Sequence, residues 1–328
     1  MKLATYKDGS RDGQLIVVAR DLQTAHFATG IATRLQQVLD DWSFLSPQLE
    51  DLYQTLNHGK ARHAFAFDPR LCMAPLPRAY QWADGSAYPN HIDLISRSRG
   101  AEPPADFMDD PRMYQGGSDD LLGPCDEAVF ADAAWGIDFE AELAVVTGDV
   151  AMGTGPDAAL DGVRLLMLAN DWSLRELIPA ELAKLFGFLQ SKPATAFAPV
   201  AVTPDELGSA WRGGRAHVTV DVHWNGKRVG RIDGGAEMSL HFGQLIAHLA
   251  RTRRLRAGSI VGSGTLSQRD AAAGYGCIIE RRAREMLEHG EPRTAYMAFG
   301  DRLRIEAMAD GQSVFGAIEQ SVGALAPA

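Results

Sequence analysis

Between Ala216 and Trp224 every second residue is apolar: Val218, Val220, Val222 and Trp224 alternate with His217, Thr219, Asp221 and His223. The run then meets Asn225-Gly226 and resumes as Lys-Arg-Val-Gly-Arg-Ile. A period of two cannot follow a helix face, which recurs every ~3.6 residues, but it puts one apolar and one polar face on a strand. Asn-Gly supplies the two positive-φ residues of a type I′ turn. The chain therefore builds an antiparallel hairpin with one buried face, and an all-helical fold is excluded.

Further strands are expected over residues 3–6 and 14–19, joined by an Asp- and Gly-rich turn, and over 163–169, 259–261, 278–281, 303–307 and 313–318. Helical spacing links Ile31, Leu35, Val38, Leu39 and Trp42. Ser46-Pro47 reads as the start of a second helix carrying Leu49, Leu52, Tyr53 and Leu56, which Gly59 closes. Phe242, Leu245, Ile246 and Leu249 form the stripe of another helix. Residues 72–77 hold two prolines and no periodicity, which divides a small N-terminal region of short strands and two helices (1–77) from a larger domain (78–328). The fold class is α+β, mostly β.

Composition narrows the function. With 46% apolar and 23% charged residues over 328 positions, the chain is globular and can bury a substantial core. Its 42 acidic against 32 basic residues, a formal charge of −10, give nucleic acid no electrostatic footprint. Cys72, Cys125 and Cys277 are too far apart in sequence for a zinc or redox motif and read as reduced thiols. No apolar run approaches the ~20 residues of a membrane span, and Lys7 and Asp8 interrupt any signal-peptide core, so a cytoplasmic protein is expected. Gly262-Ser-Gly264 lacks the third glycine of a dinucleotide fingerprint.

The chemistry is concentrated in residues 136–146, where Asp138, Glu140 and Glu142 alternate with Phe139, Ala141 and Leu143. On one strand the three carboxylates share a face at ~6.6 Å spacing, close enough to raise one another's pKa unless a cation lies among them. The apolar run 163–169 ends in Asn170-Asp171, which sets another carboxylate where a strand meets a loop. Oxygen donors alone select a hard ion, Mg²⁺ first, with Ca²⁺ or Mn²⁺ as alternatives. The competing reading is that Glu140 and Glu142 are the solvated face of an edge strand. His217, His223, His241 and His248 read as surface residues.

Asp-Phe-Glu-Ala-Glu-Leu-Ala-Val-Val, followed about thirty residues later by Asn-Asp-Trp-Ser-Leu-Arg, resembles the metal-binding core of the fumarylacetoacetate hydrolase family. The resemblance runs from about Tyr80 to the C-terminus and implies a mixed β-roll catalytic domain, usually in a homodimer. It assigns Glu140, Glu142 and Asp171 to the metal, with Asp138 beside them. Asp84-Gly-Ser-Ala-Tyr-Pro-Asn-His91 looks like the segment in which an aspartate adds a metal ligand and a histidine is the general base; shorter relatives lack it. Residue by residue, Tyr114 and Thr265 match substrate contacts, Lys192 a lysine beside the metal, and Glu280 the glutamate that orients the catalytic histidine. The pattern departs after Asp171: Arg-Glu-Leu-Ile-Pro-Ala-Glu-Leu-Ala-Lys stands where the family's hydrolases place a substrate-binding glutamine and tyrosine. The N-terminal region is also shorter than the SH3-like barrel of animal members.

The resemblance thus implies a metal-dependent hydrolase that cleaves a C–C bond of a β-diketo acid, with fumarylacetoacetate, of tyrosine and phenylalanine breakdown, as the leading substrate. A hydratase or decarboxylase of a 2-oxo diacid on the same metal core is the alternative within enzymes. A reading of another class is an ion that merely staples a non-catalytic binding domain. Taken singly, His91 could cap a helix-like segment, Lys192 could be an exposed loop cation, and Glu280 could pair with Arg281 or Arg282.

Overall fold

The two central strands, Ala141–Thr147 and Val163–Asn170, are apolar on both faces. Leu143, Val145, Leu166 and Leu168 join one apolar cluster, while Ala144, Val146, Leu165 and Met167 join another. Strands of this kind need cover on both sides. The computed structural model, which describes residues 1–103, 105–106 and 109–326, supplies it with a mixed, mostly β architecture.

An eleven-stranded sheet forms the centre. Its order is Phe65–Ala66, Thr24–Phe27, Gln14–Val18, Lys2–Tyr6, Val200–Val202, Val163–Asn170, Ala141–Thr147, Ser259–Gly262, Gln81–Gly85 and Met113–Gly116, with Ala196–Phe197 pairing Val163–Asn170 off this path. Neighbours run antiparallel except Ser259–Gly262 beside Gln81–Gly85. A five-stranded sheet covers one face through Val220, Val222, Ile305 and Ile318. The helices Leu35–Asp40 and Trp42–Asn57 cover the other through Val38, Leu49 and Tyr53. Residues 2–4 pair with 200–202, so the N-terminal strands extend the central sheet edge to edge.

The expected hairpin is present: Thr219–Trp224 pairs with Lys227–Asp233, and Asn225 and Gly226 have φ of 50° and 77°. Three local expectations are corrected. The second helix begins at Trp42, not at Ser46-Pro47; Pro47 lies early in it, where its missing N–H removes only one intrahelical bond. Residues 278–281 open the helix Ile278–His289 instead of forming a strand, because the helix-forming Arg-Arg-Ala-Arg-Glu-Met-Leu-Glu run outweighs the apolar Ile-Ile pair. His91 belongs to the first turn of the helix Pro89–Ser98. His217, His223, His241 and His248 are half-buried; the ring of His217, for example, lies against Gly235. Among the described residues, no helix is long and apolar enough to cross a membrane.

Candidate active site

Four strand ends meet at one end of the central sheet. Asp84 lies near the end of Gln81–Gly85, Glu142 near the start of Ala141–Thr147, one strand removed from it in the sheet, and Asp171 directly after Val163–Asn170. The intervening strand Ser259–Gly262 faces Asp84 with Gly262, where a Cβ would stand 2.3 Å from Asp84 Oδ1. Only glycine lets that carboxyl lean toward Glu142. Gly264, at φ 77°, then donates its N–H to Asp84 Oδ1 at 2.9 Å. Oxygens of Asp84, Glu142 and Asp171, all buried, converge to within 4.8 Å of one another.

The three carboxylates foreseen on one strand face are divided. The chain changes partners at Phe139-Glu140: Ile137–Asp138 pairs with Ser173–Leu174, whereas Ala141–Thr147 pairs with Val163–Asn170. Asp138 therefore faces away from the cluster. It accepts hydrogen bonds from the N–H groups of Ile278 and Ile279, at 2.7 and 3.0 Å, and from Arg175 Nε at 2.8 Å. Glu140 accepts from Arg175 Nη2 at 2.7 Å and from Lys192 Nζ at 2.5 Å. The edge-strand reading is overturned, since Ala141–Thr147 is central and Glu140 and Glu142 are 4% and 0% exposed. Lys192, the supposed loop cation, is withdrawn from solvent and also donates to Asp171 Oδ2 at 2.7 Å.

The electrostatics are unbalanced. Burial pushes the Glu142 carboxyl well above its ordinary range, and Asp84, Asp171 and Glu140 push it further. Asp84 is pushed up to about 8 by burial and then by Asp171. Glu140 goes the other way: against its burial, Lys192 and Arg175 hold it well below the carboxylate range. Lys192 and Arg175 are both raised despite burial, by Asp171 with Glu140 and by Glu140 with Asp138 respectively. Both oxygens of Glu142 are shielded and accept no hydrogen bond among the described residues. Orphaned buried oxygens within an all-oxygen set fit a hard divalent ion, which would neutralise charge that Lys192 alone does not.

A cavity of about 170 Å³ opens beside this cluster, lined by Asp84, His91, Tyr114, Glu140, Lys192 and Thr265. Tyr114 donates its hydroxyl to Asp171 Oδ2 at 2.5 Å, and Thr195 donates to Oδ1 at 2.7 Å. The helices Pro89–Ser98 and Ile278–His289 pack together and bring His91 Nδ1 to 2.9 Å from Glu280 Oε1. Glu280 is fully buried, so its pairing with Arg281 or Arg282 is excluded. Where the family's glutamine and tyrosine were missing, the chain places the short helix Ile178–Leu182 and then Phe188, whose ring meets Tyr114 edge-on at 5.7 Å. Arg175, Ile178 and Phe188 also line the cavity.

Sequence reasoning passed over Arg175, Thr195 and Phe188. Arg175 alone carried a signal, a cation four residues beyond Asp171 beside a carboxylate-rich strand. The nine residues given metal, catalytic or substrate roles from the sequence, Asp84, His91, Tyr114, Glu140, Glu142, Asp171, Lys192, Thr265 and Glu280, do meet at this one place, whereas Asp138 faces away from the cluster.

The family model described as "Fumarylacetoacetate (FAA) hydrolase C-terminal" matches residues 81–323, and "Fumarylacetoacetase N-terminal domain 2" matches residues 1–78. The chain is 26% identical over 260 residues to the fumarylacetoacetase of Arabidopsis thaliana, a match covering 70% of this chain but 57% of that protein. Among solved structures, a probable 2-hydroxyhepta-2,4-diene-1,7-dioate isomerase from Mycobacterium abscessus superposes with a TM-score of 0.69 at 20% identity, covering both chains in full. Maleylpyruvate hydrolase from Sphingobium sp. SYK-6, in complex with manganese(II) and pyruvate, gives 0.64 at 17% identity over 99% of each chain.

Proposed function

The chain belongs to the fumarylacetoacetate hydrolase family, and from that premise we propose that it is a metal-dependent hydrolase of a β-diketo acid. Fumarylacetoacetate, cleaved to fumarate and acetoacetate, is the leading substrate. The observation that carries this reading is the presence of an ion-seeking carboxylate cluster and a His91–Glu280 pair on one small cavity.

Asp84, Glu142 and Asp171 are the proposed metal ligands; the family resemblance adds Glu140, whose two oxygens here accept from Arg175 and Lys192. Mg²⁺ suits the all-oxygen set best, with Mn²⁺ or Ca²⁺ as alternatives. Such an ion, when bound, polarises the carbonyl under attack and offsets charge on the departing enolate. Glu280 holds Nδ1 of His91, which leaves Nε2 to take a proton from water, and its carboxylate then stabilises the imidazolium. The hydroxide adds to the carbonyl carbon, the adjoining C–C bond breaks toward the neighbouring carbon, and the proton held by His91 is returned to that carbon. Lys192 keeps an ammonium beside the site of developing negative charge. Tyr114 and Thr265 contact the substrate, and Phe188 and Ile178 exclude water from one wall. A homodimer is proposed on the family resemblance; sedimentation at enzyme concentrations below one micromolar tests it.

The deciding assay incubates the protein with Mg²⁺, fumarylacetoacetate and a panel of acylpyruvates, follows loss of enol absorbance and identifies the products. Two carboxylic acids from one diketo acid support hydrolysis; carbon dioxide, a hydrated adduct or an isomer overturns it in favour of the family's other chemistries. His91→Ala is expected to fold and to lose ~10²-fold or more in turnover, the scale of a general base.

A further inference from the structure

A second cluster of metal-ligating side chains lies outside the carboxylate set. His91 Nδ1, Cys277 Sγ and a Glu280 carboxylate oxygen fall within 4.8 Å of one another. Nδ1 is 2.9 Å from Glu280 Oε1 and 4.0 Å from Sγ. Cys277 and Glu280 are each 0% exposed, and Glu280 Oε2 has no hydrogen-bond partner among the described residues. A buried carboxylate oxygen without a donor is costly unless a cation reaches it. Around a tetrahedral zinc ion, a sulfur at ~2.3 Å and a nitrogen at ~2.0 Å stand about 3.5 Å apart, so Sγ and Nδ1 need to close by only about half an ångström. His91 is 18% exposed and lines the cavity, which gives an ion and a fourth, water ligand a way in.

We propose that His91, Cys277 and Glu280 form a second metal site that takes a thiophilic divalent ion such as Zn²⁺ and silences the enzyme when filled. One nitrogen, one sulfur and one carboxylate prefer such an ion to Mg²⁺ or Ca²⁺, which the all-oxygen cluster prefers. On binding, the Cys277 thiol releases its proton to solvent, and the His91–Glu280 hydrogen bond gives way to two coordinate bonds. Nδ1 commits its lone pair to the ion, and the ring's single proton is confined to Nε2. A ring protonated there cannot accept a proton from water. The inhibition rests on the general-base role proposed above for His91; the binding does not.

The test uses the full chain with Mg²⁺ saturating, titrated with Co²⁺ as a spectroscopic probe and with Zn²⁺ as inhibitor, in wild type, Cys277→Ser and Cys277→Ala. The expected result is a near-ultraviolet thiolate-to-cobalt band in the wild type that both variants lack. Zn²⁺ inhibition should be reversed by chelator and weakened at least about tenfold by Cys277→Ser. Absence of the band from the wild type, its persistence in the variants, or equal Zn²⁺ inhibition in all three proteins would overturn the site. Should no diketo acid be turned over, the proposed function fails while the cobalt band still decides the metal site.

Discussion

Asp84 and Glu142 hold their protons more tightly in the ion-free fold than in the unfolded chain, because burial and neighbouring carboxylates raise both pKa values. The stability this contributes is complete below their unfolded pKa values, about 4, and is lost as pH rises through the folded value, which for Asp84 is about 8. In chelator, the melting temperature of wild type should therefore fall relative to Asp84→Asn between about pH 4 and 8, and saturating Mg²⁺ should remove that difference in slope. Parallel curves for the two proteins in chelator would refute the account. Arg175 presents the opposite case, a buried cation shared by Asp138 and Glu140. Arg175→Met takes one partner from each carboxylate, leaving Asp138 to two backbone N–H groups and Glu140 to Lys192, and should destabilise by about 3 kcal/mol in denaturant titrations.

At the scale of elements, the helix Ile278–His289 carries Glu280, and its start is fixed by Asp138, which accepts the first two N–H groups. Asp138→Ala removes that cap at a cost of about 1–2 kcal/mol, and it also unpairs Arg175 Nε. Because Glu280 rides on the same first turn, the variant should lose kcat more than it gains in KM, and its pH–rate profile should shift on the limb governed by His91. An unchanged profile in a folded variant would confine Asp138 to a structural role. The strand Ser259–Gly262 sets a comparable constraint: Gly262→Ala places a methyl against the Asp84 carboxyl and should weaken Mg²⁺ binding measured by calorimetry at least about tenfold.

For the whole molecule, the decisive contact is the antiparallel pairing of residues 2–4 with 200–202. The apolar cluster on that side of the sheet draws Leu3, Val17, Val38 and Tyr53 from the first 77 residues and Val146, Leu165, Met167 and Ile260 from the remainder. We therefore propose that the boundary near residue 77 separates regions that do not fold independently. The full chain should melt in one calorimetric transition, and a 78–328 fragment, with an open sheet edge and half a core face, should be insoluble or unfolded. Two separate transitions, or a soluble and cooperatively folded fragment, would contradict this.

Sequence alone determined what local chemistry dictates. Asn225-Gly226 permits the positive φ values of a hairpin turn, the two-sided apolar run before Asn170 demands a covered strand, and carboxylates two residues apart call for a cation nearby. The family motifs extended this to nine residues that converge in the fold. Only the tertiary structure decided that Glu142 turns to Asp84 and Asp171 while Glu140 turns to Arg175 and Lys192, because that division follows from a change of strand partner at Phe139-Glu140. The same holds for residues 278–281, where an apolar pair fits either period and the downstream run selects the helix. A charge's environment is set by side chains far away in sequence: Glu280 meets His91 across 189 residues, and no local pattern encodes that meeting.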